Sequence, residues 1–432
     1  MTSKEILGVA EGLFASERLT DLQNLIADKM EDLRFYDVSK MSRVVAICCW
    51  GPSGSLFLAS FLDGHEDILM IPGTSGEIVF KVFERYPSLT LWERLLAYPA
   101  ILTSYNTELA AQGKQGGVDP FFEGNFAINP KHYYAAVQAI QNTHFHLPAE
   151  FLNSRRAFFL FLQIAYNVAL GRRPASLDPL VVYAQHEWSN EVAAVVVGEF
   201  PQAKFIHAIR DPISLYDATI DNWIRYSADP TDWARPDLPW DTMRYLLRRD
   251  RPHKGMEART RAVRFEDLHR ELSRTMRGLC DWLDISYSEK LLSSTFNGIP
   301  WIVNRDGAKW TGQNVKKAER RSQNYSAKDR ILLTALLCDN FAAWGYPYPK
   351  AFRYVIFRSL AFFSLLIFPL KVEFRIGNEV VRNRLLASAR RGNTSIAIKW
   401  GLKLFYYRLR TIQLLAPEFF RRNSYKNMLL RV

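Results

Sequence analysis

Four cysteines in 432 residues are too few, and too irregularly spaced, to frame a disulfide scaffold or a structural zinc site. Cys48 and Cys49 are adjacent, and on an extended segment neighbouring side chains face opposite ways, which disfavours a bridge between them. The pattern suits a reducing compartment, so a cytoplasmic setting is expected. The chain opens without a charged-then-apolar leader. It has no internal repeat and no long low-complexity tract. Its uncharged run Ser359–Leu370 holds 12 residues with a proline near its end, against about 20 apolar residues for a bilayer crossing. No Gly-Lys-Ser/Thr sequence follows its Gly/Ser turn at 51–55. That excludes an ATP-binding P-loop of the usual kind and makes a kinase the poorest of the enzyme readings.

An apolar content of 48% is enough for a sizeable core, and the length suits one large domain with insertions or two domains. The net charge of +12 is concentrated in one region. Residues 351–432 carry 16 Lys/Arg against 3 Asp/Glu, so the first 350 residues are close to neutral. The basic character belongs to a C-terminal appendage.

The apolar run Arg43-Val44-Val45-Ala46-Ile47-Cys48-Cys49 leads into Trp50-Gly51-Pro52-Ser53-Gly54-Ser55-Leu56-Phe57-Leu58. The pattern predicts strand, tight loop, helix. Such a loop aims several backbone N–H groups at one spot, and the helix N-terminus adds about half a positive charge. The matching occupant is a phosphate or sulfate group. The candidate cradle is Ser53, Gly54, Ser55 and Leu56. A plain strand-to-helix connection has the same local appearance.

A second element is Ala203-Lys204-Phe205-Ile206-His207-Ala208-Ile209-Arg210-Asp211-Pro212. A strand ends at Ile209 and Asp-Pro starts the next helix. Ligands of open α/β sheets bind beyond the carboxyl ends of strands, which places Arg210 to fork onto a second anion. A surface pair with Asp211 is the bland alternative. A third element, Asn304-Arg305-Asp306-Gly307-Ala308-Lys309-Trp310, combines cations, a glycine for close approach and an aromatic ring.

Taken together, these segments resemble the sulfotransferases that use 3′-phosphoadenosine 5′-phosphosulfate (PAPS). Ser53-Gly54-Ser55 matches that family's 5′-phosphosulfate loop, with Phe57 at its aromatic position, and Phe61-Leu62-Asp63-Gly64-His65 looks like the helix end that follows. Phe205 to Pro212 resembles the 3′-phosphate strand, and Val263-Arg264-Phe265-Glu266-Asp267-Leu268 the family's Arg-Tyr/Phe-Glu-Asp-Leu segment. Arg305 to Trp310 is similar to its last cofactor loop. The resemblance spans roughly residues 40–350. It implies PAPS as co-substrate with no metal, and a hydroxyl-bearing acceptor. It implies a 3′-phosphate clamp at Arg210, helped by Thr219 and Arg305, and adenine cover by Trp310.

The chain departs from the pattern twice. Pro52 stands where the family carries a basic residue before Ser-Gly. Ala218 stands where it carries a serine eight residues after the arginine, with Thr219 one place on. With Pro52 in the loop, Lys309 is the candidate cation for leaving-group charge. The base for the acceptor hydroxyl is expected at His186, just past the strand Leu180–Ala184, with Glu77 as the rival. A structural hydrogen bond is the alternative role for His186.

The expected fold class is α/β: a parallel sheet flanked by helices with a P-loop-like phosphosulfate loop, plus a helix-rich, acceptor-side insertion at 73–180 and a helical C-terminal tail. The sulfotransferase-like domain is expected at 1–350 and the basic, apolar tail at 351–432. Helices are expected before residue 40 and at 191–200, 213–226, 266–284 and 326–344. The tail interleaves aromatics with cations, which suits an anionic membrane surface. A helical lid on the core is the alternative, and no nucleic-acid motif accompanies the charge. The reading is therefore a cytoplasmic sulfotransferase, peripheral on the inner face of the membrane, acting on a carbohydrate, lipid or other membrane-associated hydroxyl. A non-catalytic PAPS- or nucleotide-binding scaffold at membranes is the alternative that Pro52 motivates.

Overall fold

In the computed structural model the described residues are 19–111, 121, 126–185, 190–226, 238–249, 255–305, 308–316, 325–375, 405–406, 408–410, 412–417 and 429–430. The sequence's first helical segment is described from residue 19, as α1 (Leu19–Leu33). The apolar run after it is strand β1 (Val44–Cys48), fully buried. The Gly/Ser loop follows, and then helix α2 (Ser55–Leu62).

Four further strands join β1 in one parallel sheet: β2 (Ile68–Ser75), β3 (Leu180–Gln185), β4 (Lys204–Ile209) and β5 (Thr260–Arg264), in the order β2-β3-β1-β4-β5. All sheet pairings are parallel, as expected when helical crossovers connect the strands. β2 is an edge strand that the periodicity at 67–73 did not announce. Its run is short and Pro72-Gly73 interrupts it.

Alternation along β1 sorts the core into two layers. Val44, Ala46 and Cys48 face a layer that includes α3 (Gly76–Arg85), α4 (Leu91–Ala111), α5 (Pro130–His144) and α7 (Arg155–Ala169). A single turn, α6 (Ala149–Leu152), precedes α7. Val45 and Ile47 face α2 and a later helical segment that includes Leu272, Met276 and Leu279. Thus the helices within 73–180 share one core with the sheet. In α7 the side chains of residues 157 to 168 are buried without exception, so it lies between other layers rather than at the surface.

The second half continues as α8 (Asn190–Glu199), α9 (Pro212–Tyr226), α10 (Leu238–Arg249), α11 (Phe265–Arg270) and α12 (Leu272–Leu283). Two small antiparallel hairpins follow, β6 (Thr295–Phe296) with β7 (Ile299–Pro300) and β8 (Ile302–Arg305) with β9 (Ala308–Thr311). Last come α13 (Ala327–Leu336), α14 (Cys338–Ala343) and α15 (Val355–Ile367). The helices expected as single spans at 266–284 and 326–344 each divide in two, at Glu271 and Leu337.

A third cluster unites the two ends of this half. Trp240, Met243 and Leu247 of α10 pack with Leu333 and Leu336 of α13, Phe362 and Leu365 of α15, and Ile412 and Leu415 of the tail. Near the C-terminus, the Leu430 N–H donates to the Ala262 carbonyl (3.0 Å), so Leu429 and Leu430 run beside the outer edge of β5.

Candidate functional site

The sheet order places β1 and β4 side by side, with Cys48 level with His207. The chain crosses from the β3 side to the β4 side at this point, and such reversals open a crevice beyond the carboxyl ends. The Gly/Ser loop leaves β1 into that crevice. Arg210 leaves β4 beside it.

Two glycines shape the loop. Gly51 has φ +58° and Gly54 has φ +94° with ψ 20°, the left-handed region that side-chain-bearing residues avoid. Gly54 is the N-cap of α2. A Cβ there would lie 2.4 Å from Cδ2 of Phe265, and a Cβ at Gly51 would lie 2.8 Å from Oγ1 of Thr219. The Ser53 N–H donates to the Gly51 carbonyl (2.9 Å), which closes the turn. Ser53 therefore offers its hydroxyl rather than its amide. Its Oγ is buried and has no hydrogen-bond partner among the described residues. The first hydrogen bond of α2 is Leu58 N to Gly54 O (2.9 Å), which leaves Ser55, Leu56 and Phe57 as first-turn amides. A buried orphan hydroxyl next to such amides is what a tetrahedral oxyanion requires, so the residues present fit a phosphosulfate.

Arg210 emerges half-buried from β4, with its guanidinium carbon 4.9 Å from the centre of the Phe265 ring. Asp211 caps α9: its Oδ1 accepts from Ser214 N (2.8 Å), and Pro212 takes the first helical position. The Asp211 N–H donates to Oε1 of Glu266 (3.1 Å), whose Oε2 accepts from the Tyr346 hydroxyl (2.7 Å). Burial pushes the Glu266 carboxyl above its ordinary value, and these two donors and Arg210 offset only part of that. Thr219, about two turns into α9, is buried and donates its hydroxyl to the Leu215 carbonyl (2.8 Å). The same oxygen faces Gly51, while Ala218 next to it is also buried.

Phe265 joins the two halves of the site. One part of its ring lies against Gly54, and the Arg210 guanidinium lies over it. His269, one turn further along α11, stands edge-on to the ring (centroids 4.4 Å apart, 81°). His269 also stacks on Phe57 (4.4 Å, 24°). Its Nδ1 accepts from Asn314 N (2.9 Å), which assigns the ring proton to Nε2. Nε2 is buried and has no partner among the described residues. Burial, with Arg210 nearby, pulls its pKa down to about 4.

The residues that flank the third sequence element reach the same place. Trp301, just before β8, lies 6.4 Å from Phe57, and Asn314 follows β9. Within the hairpin, exposed Lys309 pairs with Asn304 and half-buried Trp310 with Val303. Arg305 pairs with Ala308, and its side chain lies outside the described residues. Glu77 is the second residue of α3 and its side chain is likewise outside them. His186 lies outside altogether, directly after Gln185 at the end of β3.

Asp63 and His65, part of the motif at the end of α2, hold the scaffold. Asp63 is buried and pairs with Arg172 (2.6 Å) while accepting from Thr295 (2.9 Å) and Gly298 N (3.0 Å). His65 Nε2 bonds the Ser286 carbonyl (2.8 Å). His207 packs on Trp344 (5.1 Å). His269 and Tyr346 were not singled out from the sequence, and Glu266 was read only as part of the Arg-Tyr/Phe-Glu-Asp-Leu segment. The signal available for the first was its spacing of four residues after Phe265, which puts both on one helix face. Tyr346 carried none, since its partner is 80 residues away.

Comparison with known proteins gives the arrangement a context. Residues 125–289 match the model of a sulfotransferase family. No curated protein matches. Among solved structures, the sulfotransferase domain of the Synechococcus PCC 7002 olefin synthase is similar at 20% identity, covering 59% of this chain and 78% of its own (TM-score 0.34). The sulfotransferase domain from the curacin biosynthetic pathway is similar at 15% identity, covering 72% and 100% (TM-score 0.36). A sulfotransferase from Mycobacterium avium is similar at 16%, covering 63% and 73% (TM-score 0.31).

Proposed function

We propose that this chain is a sulfotransferase, the family whose model matches residues 125–289, and that it moves a sulfuryl group from PAPS to a hydroxyl of a carbohydrate, lipid or other membrane-associated acceptor. The observation that carries the reading is the shared ring of Phe265. The Gly/Ser loop and Arg210 meet on it at the carboxyl ends of neighbouring strands, which supports one nucleotide engaging both. Had they stood on different faces of the sheet, no single nucleotide would engage both.

PAPS supplies the activated sulfuryl group. The chain supplies positioning and charge. The first-turn amides of α2 and the Ser53 hydroxyl hold the 5′ anion, and Arg210, supported by Thr219 and Arg305, holds the 3′-phosphate. Trp310 covers the base. The acceptor oxygen forms its bond to sulfur in line with the departing phosphate oxygen, leaving adenosine 3′,5′-bisphosphate. The acceptor's proton passes to His186 or Glu77. Lys309 answers the charge that develops on the leaving group, the role that Pro52 cannot fill.

Transfer of ³⁵S from labelled PAPS, screened over glycan, lipid and small-molecule hydroxyls with Arg210→Ala as control, tests the proposal. Label on an acceptor that disappears with Arg210→Ala supports it. The second reading, a non-catalytic nucleotide-binding scaffold, is favoured by Pro52 alone. It predicts stabilisation by adenosine 3′,5′-bisphosphate with no label transferred to any acceptor.

A further inference from the structure

Helix α15 has two unlike faces. Arg358, Ala361, Phe362 and Leu365 are buried against α13 and α10. Ile356, Leu360, Phe363 and Ile367 point the other way, each more than half exposed, up to 70% at Ile367. Phe357 beside them and Phe368 just past the helix are exposed as well. Large apolar side chains at this spacing make a continuous stripe, and soluble surfaces seldom leave such a stripe in water.

The charges around the stripe are sorted by sign. Residues 350–372 contain no Asp or Glu. The nearby carboxylates are turned inward and neutralised: Asp339 pairs with Arg358 (3.3 Å), and Glu373 with Arg408 (2.8 Å). Cations stand outward at both ends, exposed Lys350 and Arg353 before the helix and exposed Lys371 after it. Exposed Lys328 lies 5.2 Å from the Phe368 ring. An apolar stripe bracketed by cations matches one partner chemistry, an anionic lipid surface with acyl chains under its headgroups.

The geometry also decides how such a surface is met. By composition alone Val355–Arg375 is long and apolar enough to cross a membrane. The helix, however, ends at Ile367, with Phe368 extended. Its 13 residues span about 20 Å, against about 30 Å of hydrocarbon. One face is already committed to the protein core. Arg408 closes the C-terminal end by donating to the carbonyls of Leu366 (2.9 Å) and Leu365. We infer that α15 lies in the plane of one leaflet of an anionic membrane, with Ile356, Leu360, Phe363 and Ile367 inserted and the flanking lysines and arginines at headgroup level.

Flotation of the full chain with vesicles of phosphatidylcholine, alone or mixed with phosphatidylglycerol, tests this without reading sulfuryl transfer, so it stands apart from the catalytic proposal. The chain is expected to float with the anionic vesicles and to be released by salt. Leu360→Glu with Phe363→Glu, both at exposed positions, should abolish flotation while leaving the melting temperature unchanged. Lys328→Gln with Lys350→Gln should weaken anionic-vesicle binding about 30-fold and leave neutral vesicles unaffected. The inference is overturned if the chain ignores both vesicle types or floats equally well with the double Glu variant. It is also overturned if the chain resists salt and alkaline extraction as a spanning protein does. Loss of a concentration-dependent dimer in the double Glu variant, without any flotation of the unaltered chain, would assign the stripe to a second copy instead.

Discussion

The Arg210 guanidinium rests 4.9 Å over the ring of Phe265, and the same ring closes against Gly54 at the start of α2. The two segments proposed to hold anions, about 155 residues apart in the chain, thus meet on one aromatic side chain. A cation over a ring face gains about 0.5–2 kcal/mol, depending on burial, and loses side-chain freedom before any ligand arrives.

Gly54→Ala should remove donor binding and destabilise the fold together. The new Cβ would meet Phe265 at 2.4 Å, at a φ of +94°. Left-handed backbone alone costs roughly 1–2 kcal/mol at a residue with a Cβ. A melting temperature lowered by several degrees, with no shift on adding adenosine 3′,5′-bisphosphate, is the expected result. Unchanged melting behaviour would mean that the loop takes up another conformation.

Arg210→Ala should weaken adenosine 3′,5′-bisphosphate binding about 10- to 100-fold, the range for a charged hydrogen bond. Arg210→Lys should recover only part of it, since an ammonium does not fork onto a phosphate as a guanidinium does. Calorimetric titration of the three proteins checks this, and full recovery by lysine would reduce the role to simple charge.

Lys309 is exposed on β9. If it answers leaving-group charge, Lys309→Ala lowers turnover far more than it raises the dissociation constant for the bisphosphate. Equal losses in both would make it a binding residue only.

His269 gives the fold an acid-sensitive element. Its pKa falls from an ordinary 6.5 to about 4 in the folded chain, so over that interval the unfolded chain holds more protons. Stability therefore rises with pH across the window: the neutral imidazole's contribution is complete above 6.5 and lost as the pH drops toward 4. Glu266, held above its ordinary value, works in the opposite sense, since its folded form retains a proton that the unfolded chain gives up as pH rises. His269→Gln should flatten the acid limb of a stability-against-pH curve relative to the unaltered chain. Parallel curves would show that the imidazole charges freely in place.

Tyr346→Phe removes the donor to Oε2 of Glu266 and leaves Oε1 bonded to the Asp211 N–H. The expected cost is about 0.5–1.5 kcal/mol of stability. Bisphosphate affinity should fall by less than in Arg210→Ala, because Arg210 keeps its ring contact.

The central strands, the glycine turn and the Asp-Pro helix start were readable because each is a local pattern. β1 is an unbroken apolar run, Gly54 sits where a left-handed cap is required, and Asp211-Pro212 is a helix opening. β2 was not readable, because an edge strand interrupted by Pro72 has no period long enough to register. His269 escaped for another reason. Nothing next to it in sequence indicates that Phe57 and Asn314 will hold its ring, since those contacts come from loops brought in by the fold. Thr219 lies between the two cases. Its distance from Arg210 suggested a shifted hydroxyl, and the structure places that oxygen against Gly51.

The pairing of Leu430 with Ala262 has a practical consequence. The sheet's outer margin at β5 is covered by residues from the far end of the polypeptide, and Ile412 and Leu415 are sunk among α10 and α13. A shortened version stopping near residue 350, the obvious choice for expression, would uncover both a strand margin and an oily seam. Clumping of such a fragment would report those raw surfaces rather than any defect in its chemistry.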